Sequence, residues 1–208
     1  MILIGQYDSP FVRRVGIALA LYGLAFEHRP WSVFGDGEQV RAFNPLMRVP
    51  TLVLDDGEVL FDSFSMIDCL DDLVGEERAL CPRTGPMRRH VLAVAALAMG
   101  AAEKAVSLFY ELRLHKEVSA VWAERCSSQI LSTLAALERD RAARTSPYWF
   151  GDTISHADIA AAVALRFIRE AHPGLVAEAD IPALAAHAAA LEALPVFHEI
   201  SQPFVAPA

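Results

Sequence analysis

Gln6-Tyr7-Asp8-Ser9-Pro10-Phe11-Val12-Arg13-Arg14, residues 6–14, has the pattern of a corner between a strand and a helix. The apolar run at residues 1–4 stops at Gly5 and is typical of a short buried strand. Beyond Pro10, apolar residues recur at the spacing of one helix face, namely Val12, Val15, Leu19 and Tyr22. The chain is therefore predicted to begin with a β-α unit.

Ser9 stands at the N-cap position of this predicted helix. Ser is a preferred N-cap because its oxygen accepts a hydrogen bond from the first turn, and Pro10 suits the first helical position because its missing N–H would have no partner there. One interpretation of Ser9 is a helix cap and nothing more. The other is that its hydroxyl donates a hydrogen bond to an anion bound at the positive end of the helix. Both are open, since a hydroxyl has one donor and two acceptor lone pairs.

Composition and charge exclude several classes of function. The chain has 208 residues and a formal charge of −8 at pH 7, which argues against a sequence-independent nucleic-acid binder or a protein that docks on anionic membranes. Its longest apolar run, residues 91–102, is shorter than the ~20 residues that a membrane-spanning helix needs. No secretory signal pattern is present, and the three cysteines are unpatterned. We expect a reduced, cytoplasmic setting without nucleic-acid or membrane partners.

Residues 1–77 alternate short β-like runs with helical ones. A second strand is predicted near residues 25–30 and a short helix near 38–43. A hairpin is predicted where β-rich runs at 49–54 and 58–61 flank a glycine-containing turn. With a helix after the hairpin, the order β-α-β-α-β-β-α predicts a mixed sheet with packed helices.

The pattern becomes entirely helical after residues 78–86, which contain two prolines and a glycine and are predicted to be a linker. Ser155 and Asp158 have the spacing of a capping box at the start of one of these helices, with Asp in place of the usual Glu. We therefore predict two domains: an α/β domain at 1–77 and an all-α domain at 87–208.

Four stretches resemble the glutathione S-transferase superfamily, and most closely its serine-type bacterial members. They are residues 9–13 (SPFVR), 44–50 (NPLMRVP), 60–63 (LFDS) and 151–159 (GDTISHADI), and the resemblance extends over the whole chain. It implies a thioredoxin-like domain followed by a helical bundle, glutathione as co-substrate, a small electrophile as second substrate, no metal, and a homodimer.

The same resemblance implies roles for individual residues. Ser9 would activate the thiol of glutathione, and the tripeptide would be held by Phe11, Arg48, Val49, Pro50, Asp62 and Ser63. In particular, the Val49–Pro50 peptide bond would be cis, Asp62 and Ser63 would hold the γ-glutamyl end, and Arg48 would pair with the glycyl carboxylate. Plainer interpretations are an ordinary trans Pro50, Ser63 as the N-cap of a helix, and Arg48 as a solvated surface residue.

Other side chains compete for roles. Tyr7 is an alternative donor to the sulfur, because some transferase classes use a tyrosine near the end of the first strand. The weaker candidates for an apolar substrate pocket are Phe34, Phe109, Tyr110 and Arg113. The seven histidines show no paired ligand spacing, so no metal is predicted. A serine at position 9 cannot form a mixed disulfide, which disfavours thiol–disulfide exchange.

The leading hypothesis is an enzyme that transfers glutathione to small electrophiles. One alternative is a non-catalytic binding or regulatory protein of the same fold, like the stringent-starvation relatives. Another is glutathione-dependent isomerase or dehalogenase chemistry at the same site. The combination of Ser9, Val49-Pro50 and Asp62-Ser63 favours an enzyme, since a docking module does not need a complete tripeptide site.

Overall fold

The computed structural model describes residues 1–206, and the chain forms two compact units. The first unit consists of Met1–Gly85 together with the segment that starts at Leu194, and the second unit is Pro86–Ala193. Each is built around its own core, and the two-part pattern predicted from the sequence is confirmed at the level of fold class.

The first unit contains a four-stranded mixed sheet. The strands are β1 (Ile2–Ile4), β2 (Glu27–Arg29), β3 (Thr51–Val53) and β4 (Val59–Phe61), in the spatial order β2-β1-β3-β4. β1 and β2 are parallel, whereas the β1–β3 and β3–β4 pairs are antiparallel. The predicted hairpin is therefore present, and the strand order is that of a mixed sheet.

Three helices are interleaved with these strands: α1 (Pro10–Leu21), α2 (Gly37–Arg41) and α3 (Ser63–Val74). α1 packs against α3, and both contribute to a core whose members are fully buried, among them Leu3, Leu19, Leu52, Met66 and Leu70. Burial of this apolar surface stabilises the sheet, whose strands are too short to persist alone.

The predicted linker is held to the first unit at Tyr22, the C-cap residue of α1. The backbone N–H of Leu80 donates to the Tyr22 hydroxyl at 2.9 Å, and this hydroxyl donates to Asp71. The Arg78 guanidinium donates to the Tyr22 carbonyl. Burial, with the neighbouring Asp71, raises the pKa of Tyr22, so the phenol keeps the proton that it donates.

The second unit is helical. Its helices are α4 (Gly85–Leu114), α5 (Ala120–Ala142), α6 (His156–Ala171) and α7 (Pro182–Glu192), with a 3₁₀ turn at Glu178–Asp180. α7 packs on both α5 and α6. Buried alanines line α6, so neighbouring helices can approach closely, which explains the alanine-rich composition of this half of the chain.

The predicted capping box at the start of α6 is confirmed. The Asp158 carboxylate is fully buried and accepts hydrogen bonds from the Ser155 N–H at 2.8 Å, the Ser155 hydroxyl at 2.6 Å and the Trp149 N–H at 2.7 Å. Burial alone would raise the pKa of Asp158, but these bonds and the neighbouring His187 outweigh it and hold the pKa below its ordinary value.

α4 is long and apolar enough, by length and composition, to cross a membrane, and its most apolar part is a window of 18 residues. Half of that window is buried within the protein. The core helix of a soluble protein has the same properties, so α4 is only weak evidence for a membrane span.

A last helix, α8 (Pro195–Glu199), belongs to the first unit and packs on α1. The buried Arg13 side chain joins them, because it donates to the carbonyls of Phe197 at 2.7 Å and Ile200 at 2.8 Å. Packing thus groups the residues from Leu194 with the first unit, whereas the sequence pattern placed them in a domain at 87–208. The boundaries at 1–77, 78–86 and 87–208 stay a prediction.

Candidate functional site

The corner after β1 is very tightly packed. Gly5 has a φ of 130°, and a Cβ atom there would lie 2.5 Å from Cγ2 of Val12 and 2.8 Å from Cβ of Val49. Only glycine fits both this backbone conformation and this space. The close approach brings the first turn of α1 and the loop before β3 together at one point.

Ser9 is the N-cap of α1, as predicted. Its hydroxyl oxygen accepts from the Val12 N–H at 3.4 Å, Pro10 is the first helical residue, and Ser9 itself is half-buried. The long cap bond leaves the hydroxyl proton and a lone pair for another partner. Phe11 follows in the first turn and is also half-buried. The positive end of α1 therefore carries a hydroxyl donor at a partly accessible position.

The Val49–Pro50 peptide bond is cis, as the resemblance implies. Pro50 is buried, and Val49 lies two residues before Thr51, the first residue of β3. Asn44 holds this loop in place, since its amide donates to the Arg48 carbonyl at 2.9 Å and to the Thr51 hydroxyl at 3.0 Å. The backbone of Val49 is thereby fixed beside Gly5.

Met47 and Arg48 precede the cis bond. Met47 has a φ of 51°, a left-handed conformation that glycine adopts more easily than residues with a Cβ atom. The Met47 sulfur lies 3.1–3.2 Å from the guanidinium nitrogens of Arg41. The Arg48 side chain is exposed, so the structure leaves both interpretations of this residue open.

Asp62, and not Ser63, is the N-cap of α3. The Asp62 carboxylate accepts from the Phe64 N–H at 2.8 Å, and Asp62 has a φ of 68°. The interpretation of Ser63 as a plain N-cap is therefore wrong. Ser63 is instead the first helical residue and is buried. Its hydroxyl accepts a long hydrogen bond, 3.4 Å, from Nη1 of Arg14.

Arg14 is a residue of this site that the sequence analysis missed. It lies on α1, is only 1% exposed, and its guanidinium carbon is 4.4 Å from the centre of the Phe64 ring. Burial lowers the pKa of Arg14 to about 10, partly offset by the charge of Asp62, so the side chain is still cationic at neutral pH. A buried positive charge therefore lies directly behind the first turn of α3. The available signal was that α1, PFVRRVGIALAL, has almost no polar face to solvate two arginines.

Tyr7 packs into the first unit. Its ring stacks on the His28 ring, with the two centroids 3.9 Å apart. The Tyr7 ring also lies close to Gly16 of α1, where an added Cβ atom would be only 2.9 Å from it. Burial and the charge of Glu199 raise the pKa of Tyr7 to about 12. These contacts support the interpretation of Tyr7 as a core residue, while its role as an alternative sulfur donor stays a prediction.

The candidate pocket residues lie in different units. Phe34, in the first unit, is 49% exposed. In the second unit, Phe109 is buried with its ring edge-to-face to His172, and the Arg113 guanidinium lies 5.9 Å from the Phe109 ring centre. Tyr110 is partly exposed. Their membership of one pocket stays a prediction.

The described residues contain no cluster of three or more His, Cys, Asp or Glu side chains that is arranged to hold a metal ion. The cysteines at positions 69, 81 and 126 are free thiols. Burial raises the pKa values of Cys69 and Cys126, which favours the protonated form of these two thiols.

Comparison with known proteins gives the family. Residues 3–78 match the model of the glutathione S-transferase N-terminal domain, and residues 120–190 match that of the C-terminal domain. A glutathione transferase family member from Pseudomonas fluorescens Pf-5, solved with bound glutathione, is 30% identical, with a TM-score of 0.83 over 98% of this chain and 99% of that one. The chain belongs to the glutathione S-transferase family.

A glutathione S-transferase from Methylobacterium radiotolerans JCM 2831, solved with glutathione sulfonate, has a TM-score of 0.88 at 28% identity and covers 100% of this chain and 98% of that one. The GST-like protein YibF of Escherichia coli K12 is 37% identical over 100 residues, about half of either chain. Maleylacetoacetate isomerase of Rattus norvegicus is 27% identical over 97% of this chain and 94% of that protein.

Proposed function

We propose that this protein is a glutathione transferase in which Ser9 activates the thiol of glutathione for attack on a small electrophile. The observation that carries the proposal is the convergence at Gly5 of the Ser9-capped helix and the loop with the cis Val49–Pro50 bond. A peptide that pairs with the backbone of Val49 would place its cysteine close to the start of α1. The neighbouring turn of α3 would then take the γ-glutamyl end.

The energies available at Ser9 are sufficient. A free thiol has a pKa of ~8.5, and lowering it by about two units requires ~2.7 kcal/mol of preference for the thiolate. One hydrogen bond to a charged group supplies ~1.5–3 kcal/mol, and a helix N-terminus adds ~0.3–1 kcal/mol. The Ser9 hydroxyl and the first turn of α1 can therefore stabilise the thiolate without a general base.

The γ-glutamyl end would be held by the first turn of α3. Its carboxylate would accept from the Ser63 hydroxyl and the helix N–H groups, with the positive charge of Arg14 behind them. The Asp62 carboxylate uses one oxygen for the Phe64 N–H, and its second oxygen is available to the amine of glutathione. Arg48 would reach the glycyl carboxylate from its exposed position, and Phe11 would line the cysteinyl part.

In the reaction, the sulfur lone pair of the thiolate forms a bond to the electrophilic carbon. A leaving group departs with its bonding electrons, or a double bond takes up the electron pair and later a proton. Ser9 keeps its own proton throughout and acts as a donor. We further propose a cytoplasmic, homodimeric protein, consistent with three free cysteines and partly exposed apolar side chains such as Phe61 and Phe64.

Isomerisation is the second candidate, because the rat maleylacetoacetate isomerase aligns over nearly the whole chain. The same thiolate would add to a conjugated double bond, allow rotation about the resulting single bond, and leave again. Transfer and isomerisation therefore differ in the second substrate and not in the role of Ser9.

The test begins with binding to immobilised glutathione and titration of the bound thiol by thiolate absorbance, for wild type and Ser9→Ala. We expect the pKa of the bound thiol to rise by about one to two units in Ser9→Ala. Identical pKa values would refute the role of Ser9. A panel of aryl halides, epoxides, isothiocyanates, peroxides and maleyl compounds then separates transfer from isomerisation, and binding without any turnover would favour a binding or regulatory protein.

A further inference from the structure

The C-terminal segment, residues 200–206, contacts the two residues that precede Ser9. The backbone N–H of Tyr7 donates to Oε1 of Gln202 at 2.9 Å. The backbone N–H of Val205 donates to Oδ2 of Asp8 at 3.2 Å. Residues almost 200 positions apart in the sequence are thus joined next to the proposed thiol site.

The start of this segment is firmly attached to α1. Arg13, buried at 2% exposure, donates to the Ile200 carbonyl at 2.8 Å and to the Phe197 carbonyl at 2.7 Å. Gly16 provides the space for this contact, because a Cβ atom there would lie 2.9 Å from Cγ2 of Ile200. Gln202 and Val205 therefore extend from a fixed point.

Ser9 is held less tightly at its hydroxyl and N–H than at its carbonyl, which accepts from the Arg13 N–H at 2.9 Å. Its cap bond to the Val12 N–H is 3.4 Å long, and its own N–H donates to the Gln6 carbonyl at 3.2 Å. Both are at or beyond the upper end of the usual range for N–H···O bonds. The position of the Ser9 hydroxyl therefore also depends on the contacts that other parts of the chain make with the turn at residues 6–8.

We infer that Gln202 and the backbone N–H of Val205 are positioning groups for Ser9. They fix the backbone of Tyr7 and the side chain of Asp8, and through them the turn that carries the Ser9 hydroxyl. Neither group touches the sulfur. This inference rests on the proposed function, because it assigns the C-terminal segment a part in activating the thiol that Ser9 would bind.

The test uses the full chain with single substitutions in the C-terminal segment. Val205→Pro removes the N–H donor, and Val205→Ala is its matched control because it keeps that N–H. Gln202→Met removes the acceptor with little change in length. Val205 is 59% exposed and Gln202 is half-buried, so folded variants are expected. Each variant is examined by glutathione binding, by thiolate titration, and by the pH profile of kcat/KM.

In Val205→Pro and Gln202→Met, we expect the pKa of the bound thiol to rise by about 0.5–1. At saturating glutathione, kcat/KM for the electrophile should then fall by about 3- to 10-fold at pH 6 and approach the wild-type value at high pH. Val205→Ala should match wild type. A general structural defect would lower kcat/KM at every pH instead.

The outcomes separate the two hypotheses. If wild type lowers the pKa of the bound thiol and both variants lower it by the same amount as wild type, the positioning role is wrong and the proposed function stands. If kcat/KM of both variants is lowered by the same factor at every pH, the segment is merely structural and the inference fails. If wild type does not bind glutathione, the proposed function and the positioning role fall together.

Discussion

Replacing Arg14 with methionine should separate stability from glutathione binding. The fall of the Arg14 pKa from 12.5 to about 10 corresponds to ~3 kcal/mol against the charged form in the folded protein. The contact with the Phe64 ring returns ~1–2 kcal/mol, and the long bond to Ser63 adds less than the ~1.5 kcal/mol of a well-formed bond to a charged group. These contributions nearly cancel, so the free energy of unfolding of Arg14→Met should stay within ~1 kcal/mol of the wild-type value.

Glutathione affinity should respond differently, because the positive charge would act on a bound carboxylate through Ser63. Loss of one charge-assisted contribution of ~1–2 kcal/mol predicts a Kd about 5- to 30-fold higher, measured by isothermal titration calorimetry. The matched ligand is 4-aminobutyryl-cysteinylglycine, which lacks the α-carboxylate of the γ-glutamyl group. Its affinity should be almost the same for wild type and Arg14→Met.

Two results would refute this reasoning. If Arg14→Met weakens the binding of both ligands by the same factor, the charge does not act on the carboxylate. If the variant loses several kcal/mol of stability while its ligand preference is unchanged, Arg14 is a structural residue of the α1–α3 contact. Arg14→Lys is the companion variant, since it keeps the charge but loses the planar contact with Phe64.

Three further substitutions test the surrounding structure. Gly5→Ala should cost ~2–4 kcal/mol of unfolding free energy in denaturant titrations and abolish glutathione binding, because the added Cβ atom would clash with Val12 and Val49. Gly57→Ala is the control, since Gly57 also has a positive φ (90°) but an added Cβ atom there would have nothing within 4 Å. It should cost clearly less. Asp158→Asn should cost ~2–4 kcal/mol at pH 7. Folding lowers the pKa of Asp158, so the contribution of its carboxylate to the free energy of unfolding is present above the ordinary pKa of 3.8 and is lost as the pH falls through the pKa in the folded protein. The unfolding curves of wild type and variant should therefore converge in acid. Tyr7→Phe should leave the pKa of the bound thiol within ~0.3 of the wild-type value in thiolate titrations, because Ser9 is the proposed donor to the sulfur. A rise as large as that expected for Ser9→Ala would make Tyr7 the donor.

Much of the first unit could be predicted from local pattern. The spacing of apolar residues predicted the alternation of strands and helices. Ser9 followed by Pro10 predicted the start of α1, because capping depends on neighbouring residues alone. The capping box of Ser155 and Asp158 was predictable for the same reason. The cis geometry of Val49–Pro50 came from the family resemblance, since sequence composition alone favours the trans form.

The features that were missed depend on packing or on contacts distant in sequence. Asp62 and Ser63 are both good N-caps, and the choice depends on the backbone: Asp62 adopts a φ of 68°, which aspartate tolerates better than most residues. Arg14 was missed because a charge on a helix is normally assigned to solvent, whereas α1 is buried on almost all sides. α8 has only five residues, too few for a periodic signal, and its partner Arg13 is more than 180 positions away.

The return of Phe197 and Ile200 to Arg13 makes the first unit discontinuous along the chain, with the second unit inserted between its two parts. During synthesis, the carbonyl partners of the Arg13 guanidinium are therefore made only after the whole second unit has been made. A fragment that stops at Gly85 would have to bury this cation without acceptors or leave α1 partly solvated. Dissection of the protein into independently folding halves should accordingly keep the C-terminal residues with the N-terminal half, for example by circular permutation.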